Sequence, residues 1–449
     1  MYFPVKYGAV GDGVTKDTEA VQTAINECSE NGGGTVFLES GKTYYCASIF
    51  LKPNVNLHIE KGAVLKASDD INDYFRPCEQ INNPETALVG NPVVGKPSFV
   101  FIYGYKADNC SVTGEGTIDA NGEAFTERKS QYYVTGNFYP RPTTVYIENS
   151  DHISFKDITL CNAPFWTLHP AGCDDVLISQ IRILNPLDRA NSDGIDPDHC
   201  RNVRIVNCHI ECADDCICLK TTNGNREYGA CENIIISGCT LTSTSAAIKI
   251  GTEGVNDFRN ITVDNCIISR SNRGLSIQIR DGGNVDNVTF SNCIIETRRF
   301  SEDWWGTGEP VAITSFNRDE NTKSGKVSNV RFFNVTCCGE NGVLIHGTEE
   351  NPIENITFEN CSVKLHKTSK WQCGLYDLRP CLKYGVEKAY NSGFYIRNAK
   401  NITIEKLKVL WGNVTNDYRY AVDGENVENL KLQSFSGKGA FGEDGIHLI

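Results

Sequence analysis

The stretch NVRIVNCHI, residues 202–210, sets the pattern of this chain of 449 residues. Apolar and polar residues alternate through it, which is the period of a β-strand and not of a helix. Phrases of the same form begin at Asp175, Asn202, Asn233, Asn260, Asn287, Asn329, Asn355 and Asn401, with weaker copies at His152 and Asn429. The repeating unit is about 27 residues long, and two steps are longer, at 42 and 46 residues.

Strands that recur at a fixed period, without a helical pattern between them, predict a solenoid in which each coil stacks on the previous one. We therefore predict an all-β fold, a right-handed parallel β-helix. A β-propeller requires about four strands in each repeat of roughly 40 residues or more, and a leucine-rich repeat requires its leucine pattern. Neither description fits this chain.

The residues six positions after the leading residue of each phrase form an apolar column. Five of them are cysteines, namely Cys208, Cys239, Cys266, Cys293 and Cys361. Cysteine behaves in a core as a small hydrophobic residue, and these cysteines lack the short C-x-x-C pairs of zinc sites. We expect a continuous core without a metal site. The leading asparagines are interpreted as turn residues whose side chains bond the backbone.

The N-terminal segment predicts a cap on the solenoid, over about residues 1–50. DTEAVQTAINECSEN has a helical pattern from Thr18 to about Asn31, and an exposed solenoid end requires a cap. Because no Pro- or Ser-rich linker interrupts the chain, we expect a single domain over 1–449. Insertions on the coils are predicted at about 66–100, 120–140, 300–325 and 366–395.

The composition restricts partners and compartment. With 56 acidic and 43 basic residues the net charge is −13, which argues against a nucleic-acid partner. We expect no membrane partner, since no apolar run is long enough to span a bilayer. Met1 leads into no secretory signal, so a cytoplasmic location with reduced cysteines is expected, or secretion if a signal was removed. The sequence does not define an oligomeric state.

A second strand series carries acidic residues. Three of its segments align on their isoleucines: SDGID at 192–196, DDCIC at 214–218 and SAAIK at 245–249. In this alignment Asp193 and Asp215 occupy the same column, about 5 Å apart by strand spacing, with Asp214 beside them. Like charges this close would raise at least one pKa.

These three aspartates have two interpretations. Stacked carboxylates bind a cation or cap turns. Alternatively, they form an acid and a base on either side of a glycosidic bond. A carboxyl group with a raised pKa then protonates the leaving oxygen, and ionised partners activate a water on the opposite face, which is the inverting arrangement.

Three segments resemble the signature blocks of family 28 glycoside hydrolases, the polygalacturonase group: NAPFWTLHP at 162–170, NSDGIDPDHC at 191–200 and ADDCICLK at 213–220. From the KYGAVGDGV start onward the resemblance covers nearly the whole chain. It implies a right-handed β-helix that hydrolyses galacturonide-containing oligosaccharides by inversion, without a cofactor or metal. By this resemblance Asp214 is the general acid, and Asp193 and Asp215 position and deprotonate the water.

The chain departs from the family in two blocks. Many members carry Gly-His-Gly after the double aspartate, where this chain has IGTEG with Glu253. Many carry an Arg-Ile-Lys block that binds the substrate carboxylate, where this chain has LSIQIRDGG with Gln278 and, close by, Arg280. Unbranched polygalacturonate is therefore doubtful as the substrate. Arg280 either replaces the lost cation or pairs with Asp281.

Further candidates for substrate binding have structural alternatives. Asn191 opens the first aspartate block. His169 and Trp166 precede it by one coil and either line the cleft or pack in the core. Lys249 either contacts a carboxylate or is a solvated strand residue. The Trp304–Trp305 segment either stacks on sugar rings or packs on the coils.

Two other functions remain open from the sequence, besides a hydrolase for a different oligosaccharide. A β-helical polysaccharide lyase would use stacked aspartates to hold Ca²⁺, and a non-catalytic solenoid would only bind carbohydrate. For the favoured hydrolase we expect exo action on short oligosaccharides, because long insertions in a compact repeat are usually functional and would close one end of a groove. The alternative is that the insertions lie on a distant face.

Overall fold

The computed structural model of the chain describes residues 1–78, 95–126, 140–381, 383–442 and 444–449. Short strands dominate these residues, and nearly all of their pairings are parallel. The prediction of an all-β, right-handed parallel β-helix is confirmed. The described residues form two compact units, 1–214 with 222–235 and 215–221 with 236–449. That the chain is a single domain stays a prediction.

One α-helix occurs among the described residues, α1 (Thr18–Glu30), where the capping helix was predicted. Its buried side chains recur at helical spacing: Ala20, Val21, Ala24, Ile25 and Cys28. The short 3-10 helices are Pro4–Tyr7, Ile71–Asp73, Gly122–Phe125 and Asn223–Tyr228. In the described part of the chain, no helix has the length and apolar character needed to cross a membrane.

The first unit contains three parallel sheets. Its strands are β1 (Asp12–Lys16), β2 (Gly34–Leu38), β3 (Thr43–Cys46), β4 (Ile49–Leu51), β5 (Val55–Ile59), β6 (Val64–Ala67), β7 (Val100–Tyr105), β8 (Ser111–Thr113), β9 (Thr117–Asp119), β10 (Thr143–Glu148), β11 (Asp151–Lys156), β12 (Thr159–Cys161), β13 (Leu168–Ala171), β14 (Asp174–Ser179), β15 (Arg182–Leu184), β16 (Arg201–Val206) and β17 (His209–Cys212). The orders are β2-β5-β8-β11-β14-β16, β1-β3-β6-β9-β12-β15-β17 and β4-β7-β10-β13.

The second unit repeats this arrangement. The next strands are β18 (Ile217–Thr221), β19 (Cys231–Ser237, which continues from the first unit into the second), β20 (Thr240–Ser243), β21 (Ala246–Gly254), β22 (Phe258–Asp264), β23 (Ile267–Ser271), β24 (Arg273–Ile279), β25 (Val285–Ser291), β26 (Ile294–Thr297), β27 (Val311–Ser315), β28 (Ser328–Phe333), β29 (Thr336–Gly339), β30 (Val343–His346), β31 (Ile353–Glu359), β32 (Ser362–Leu365), β33 (Leu375–Asp377), β34 (Val386–Lys388), β35 (Phe394–Glu405), β36 (Lys408–Trp411), β37 (Val422–Gln433) and β38 (Ile446–Leu448). One parallel order is β18-β21-β24-β27-β30-β35-β37-β38. The other parallel orders are β22-β25-β28-β31-β35 and β20-β23-β26-β29-β32-β36.

Each nine-residue phrase forms two strands and not the single strand that we predicted. In the phrase 202–210, β16 ends at Val206 and β17 begins at His209. Asn207 lies between them with φ 57°, a left-handed conformation that asparagine tolerates better than most residues. The buried residues are Val203, Ile205, Cys208 and Ile210. The alternation thus shifts by one residue at the corner, and this shift was visible in the sequence.

The cysteine column is part of the core, as predicted. All twenty cysteines are free thiols, and sixteen of them are buried. A second column is aromatic, since Phe332 stacks between Phe290 and Phe358 with ring centroids 5.0 and 4.4 Å apart. The described cysteines therefore fill the core as small apolar side chains, while the compartment of the protein stays a prediction.

The leading asparagines form a ladder outside the core. Their backbones and those of the equivalent Asp175 and His152 are left-handed, with φ between 53° and 60°. We predicted that their side chains bond the backbone, but the side-chain bonds seen run between coils, either to another leading asparagine or, for Asn202 and Asn329, to an aspartate. The Nδ2 group of Asn287 donates to Oδ1 of Asn260 at 2.9 Å, and that of Asn429 donates to Asn401 at 2.8 Å. Identical residues one coil apart lie close enough for this direct bond.

The predicted insertions are only partly described. Residues 79–94 and 127–139, within the predicted 66–100 and 120–140 segments, lie outside the described residues. The predicted 300–325 segment includes strand β27, and the 366–395 segment includes the antiparallel hairpin β33–β34. Tyr376 and Leu378 of that insertion pack on Ala312, Leu344 and Tyr395 in the second unit.

We expect Asn287→Ala to destabilise the protein by roughly 1–2 kcal/mol, because alanine disfavours the left-handed backbone and the bond to Asn260 is lost. Asn287→Gly removes the same bond but accepts the conformation, so it should cost less. Thermal unfolding of the two variants and the parent chain measures the difference. Equal melting temperatures for the two variants would contradict this explanation.

Candidate active site

Asp214 is positioned by the backbone of Asn191 within the first unit. The Asp214 side chain is buried, and its Oδ2 atom accepts the backbone N–H of Asn191 at 3.1 Å. Asn191 has a left-handed backbone, φ 57°, which explains why an asparagine stands there. The Asn191 side chain accepts a hydrogen bond from Nη2 of Arg141 at 2.8 Å. Asn191 is thus fixed on both sides and aims its N–H at the carboxylate.

Arg141 is a positioning residue that the sequence analysis did not single out. Its guanidinium group is buried and also donates to the carbonyls of Pro164 and Ala190 at 2.9 and 2.5 Å. It lies 5.0 Å from the ring centre of Phe165. An arginine two residues before the wholly buried strand β10 was the available signal, since a buried cation requires partners.

The backbone around Asp193 is bonded to the coil that precedes it. The Asp193 carbonyl accepts the N–H of Thr167 at 2.9 Å, and the Gly194 carbonyl accepts that of Leu168 at 3.0 Å. The Asp193 side chain is buried, 3% exposed. The structure therefore places Asp193 with Asn191 and Asp214 in the first unit. Its expected closeness to Asp215 stays a prediction.

His169 lies inside the first unit. Its ring is fully buried, and Nε2 lies 3.2 Å from Oδ2 of Asp198. Burial raises the pKa of Asp198, but His169 and Thr222 together hold that pKa well below its usual range. Trp166 is half-buried and meets His169 edge-on at 4.9 Å. The position of His169 agrees with the packing alternative, and Trp166 keeps an exposed edge.

Asp215 is held by three donors of the second unit. Its Oδ1 atom accepts the Ser245 hydroxyl at 3.0 Å and the Ala246 N–H at 3.2 Å, and its Oδ2 atom accepts Lys249 Nζ at 2.8 Å. Burial raises the pKa of Asp215, but Lys249 and Lys220 lower it, so that it lies below the ordinary value. Lys249 therefore contacts a carboxylate, the first of its two predicted alternatives.

Glu253 is the counter-ion of Lys220, a buried lysine that was not predicted to be part of the site. Lys220 Nζ lies 3.3 Å from Glu253 Oε2, and the lysine side chain is only 3% exposed. Burial raises the pKa of Glu253, while Lys220 and Arg318 lower it to about 2. Glu253 stands where many family members have histidine, and the side chains that bond Asp215 are those of Ser245 and Lys249 from the preceding segment. Lys220 could have been found as the charge that ends the buried strand β18.

Arg280 does not pair with Asp281, which was one of its two predicted roles. Arg318, which was not predicted, binds Asp281 with two bonds of 2.8 and 2.9 Å. Arg280 is completely buried, and its guanidinium donates to the carbonyls of Ile279, Thr314, Leu378 and Pro380 and to the Thr314 hydroxyl. Protein oxygens already accept hydrogen bonds from this guanidinium group. No N–H group of Arg280 is therefore left for the expected contact with a substrate carboxylate.

Gln278 lies on β24 beside the strand that carries Lys249. Lys249 pairs in register with Ser276, and Gly251 pairs with Gln278. Both side chains on β24 are buried, with 1% exposure for Ser276 and 2% for Gln278. In the part of the chain that the structure describes, Ser276 Oγ and Gln278 Nε2 have no hydrogen-bond partner.

The Trp304–Trp305 segment contacts the insertion that carries β33 and β34. The two rings are half-buried, with centroids 5.7 Å apart. Arg379 lies 5.3 Å from the Trp305 ring centre and donates to the Trp304 carbonyl at 3.0 Å. The Arg379 guanidinium also binds the buried Asp377 of β33. The two insertions of the second unit are thus joined by a hydrogen bond and a cation–π contact of Arg379.

Comparisons with known proteins agree with this architecture. The chain is 33% identical over 270 residues to a protein of Vitis vinifera described as a probable polygalacturonase, which covers 57% of this chain and 52% of the relative. The chain spans about half or less of the length of such curated relatives. Two solved structures share the fold: a Thermotoga maritima exopolygalacturonase (21% identity, TM-score 0.67, covering 81% of this chain and 87% of that one) and a Yersinia enterocolitica family 28 exopolygalacturonase (15% identity, TM-score 0.70, covering 99% and 79%).

The family assignment rests on the sequence itself. Residues 93–381 match the family model described as glycosyl hydrolases family 28. This segment is more than half of the 449 residues and contains the three aspartates and both departing blocks. The chain therefore belongs to family 28 of the glycosyl hydrolases.

Proposed function

We propose that the protein is an inverting glycoside hydrolase that acts on pectin-derived, galacturonide-containing oligosaccharides. The observation that carries this proposal is that two consecutive aspartates are both buried and both held in place by hydrogen bonds. Asp214 accepts the backbone N–H of Asn191, and Asp215 accepts Lys249 Nζ. A fixed pair of carboxyl groups is what acid and base catalysis on a glycosidic bond requires.

The lowered pKa of Asp215, together with the family resemblance, suggests how the roles are divided. Asp215, with its lowered pKa, is ionised and accepts a proton from the attacking water. Asp214 donates its proton to the glycosidic oxygen as the bond from that oxygen to the anomeric carbon breaks. Asp193 positions the water. The water oxygen bonds the anomeric carbon from the opposite face, so the configuration inverts.

The same strand face suggests action at chain ends. An outward row of residues, one on each of five neighbouring strands, runs through Lys249, Ser276, Ala312, Leu344 and Tyr395. The insertion that carries β33 and β34 packs on the last three members of this row. The row is therefore covered by this insertion from its third member onward. A binding groove that is closed in this way accepts a terminus.

We expect Asp214→Asn to lower kcat by about 10²–10⁴-fold, because the change removes only the acidic proton. Oligosaccharide affinity, measured by calorimetry, should change little. The matched control is Asp157→Asn, at an exposed position of the first unit with φ 63°, and it should leave kcat unchanged. Retention of more than about a hundredth of the activity in Asp214→Asn would contradict the general-acid role.

The reaction class is tested on the products. NMR of a fresh digest should show the inverted anomer first, and activity should persist in a chelator. Products that absorb in the ultraviolet through a new double bond, with activity that depends on added Ca²⁺, would identify a lyase instead.

The pH profile tests the ion pair. Protonation of Asp215 abolishes its role as base, so the acid limb of the pH profile of kcat/KM lies where Asp215 titrates. The neighbouring ammonium group of Lys249 lowers the pKa of Asp215 and so keeps this limb at low pH. In Lys249→Gln the ion pair is lost, so the effect of burial raises the pKa of Asp215. The acid limb should therefore move to higher pH. Lys364→Gln, at an exposed position of β32, removes the same charge as a control. An unmoved limb in Lys249→Gln would exclude Asp215 as the titrating base.

Time courses test the mode of action. One small product should be released from the start, while the viscosity of a pectic polymer falls slowly. Blocking the chain end that enters the closed groove should stop cleavage of a short oligosaccharide, and blocking the opposite end should not. An early spread of oligomers of mixed length would show internal cleavage.

A further inference from the structure

Two buried polar atoms on the outward face of β24 have no partner within the described residues. They are Ser276 Oγ and Gln278 Nε2. Alternate residues of a strand face opposite sides, and the intervening Ile277 belongs to the core. Ser276 and Gln278 therefore share the face that carries Lys249, the partner of Asp215. Since buried polar atoms are nearly always hydrogen-bonded, this pair points to a ligand that supplies the missing bonds.

The cations around this pair are already compensated. Each is joined to its own carboxylate: Lys249 to Asp215 at 2.8 Å, Lys220 to Glu253 at 3.3 Å and Arg318 to Asp281 at 2.8 Å. Within the described residues Arg280 has no such carboxylate partner, but protein oxygens accept hydrogen bonds from each nitrogen of its guanidinium group. In the described part of this unit, these neighbouring cations leave no spare positive charge for a carboxylate on a ligand.

The chemistry of the two atoms selects the ligand. A hydroxyl group both donates and accepts, and an amide nitrogen donates, so the pair can hold sugar hydroxyls at no electrostatic cost. A uronate carboxylate at the same place would be a buried charge without a counter-ion, which is strongly unfavourable.

We infer that Ser276 and Gln278 form a specificity-determining subsite for a neutral, hydroxyl-bearing sugar. This inference rests on the proposed function and narrows it. The substrate is an oligosaccharide in which a neutral sugar occupies this subsite, next to the bond that Asp215 helps to cleave. An unbranched galacturonide carries a carboxylate at every sugar and is disfavoured at this subsite.

The inference is tested by calorimetry on the Asp214→Asn chain with matched disaccharides. The first ligand is a digalacturonide, and two others have one of the two carboxyl groups reduced to a primary alcohol. We expect one of the reduced ligands to bind at least about tenfold more tightly than the fully acidic one, because a buried unpaired charge is avoided. If the digalacturonide binds as tightly as both reduced ligands, or if none of the three binds, the inference is wrong.

Gln278→Lys provides the second test, since it adds a cation at nearly the same reach. It should reverse the preference and strengthen digalacturonide binding by about tenfold. Thr262→Lys, at an exposed position of β22, adds the same charge elsewhere and should leave the ratio of affinities unchanged. An unchanged ratio in a folded Gln278→Lys chain would overturn the assignment. If that variant does not fold, the comparison of ligands on Asp214→Asn decides alone.

The outcome is separable from that of the proposed function. Binding preference is measured on a chain that lacks the general acid, so it does not depend on turnover. If the protein binds the reduced ligand selectively but the parent chain hydrolyses none of the three, the subsite is correct and the hydrolase is wrong. If the parent chain hydrolyses the digalacturonide fastest, the hydrolase is correct and the subsite is wrong.

Discussion

The register between neighbouring strands is the constraint on which the rest of the structure depends. In the second unit, Ile217 pairs with Ile248, which pairs with Leu275, which pairs with Val311. A shift of one residue would turn this apolar row outward and would move Lys249 away from Asp215. The same bonds therefore build the core and the ion pair, and the site requires no separate scaffold.

Ionic pairing governs the chemistry of the outward face. Carboxylates and cations are buried there together, so each charge is stabilised by a neighbour and not by water. The pKa of Asp215 is lowered for this reason, despite burial. Among the described residues, the same pairing leaves the neutral Ser276 and Gln278 with unpartnered atoms on this face. Under the proposed function, charge balance among the protein's own residues thus affects both the ionisation of Asp215 and the kind of sugar that Ser276 and Gln278 bind.

The repeat was predictable from the sequence, because an alternating period and a fixed step are local properties. The corner inside each phrase was missed, although the shift of alternation at Asn207 signalled it. The aspartates were found by aligning the second strand series, their individual roles came from a family resemblance, and Lys249 was found as a candidate. The partners of Arg280 and Arg318 were not predictable, since Leu378 and Pro380 lie about a hundred residues from Arg280 in sequence. Such contacts depend on how an insertion folds back, which no local pattern encodes.

The left-handed asparagines divide the exposed surface into two kinds of position. An exposed residue is usually free to vary, because its substitution costs little. At these corners the backbone itself restricts the choice, since few residues accept a positive φ. In the course of evolution the outward strand positions can drift while the corners cannot. A remote descendant of this chain would thus keep its asparagines as markers of where each coil turns, long after the rest of its surface had changed.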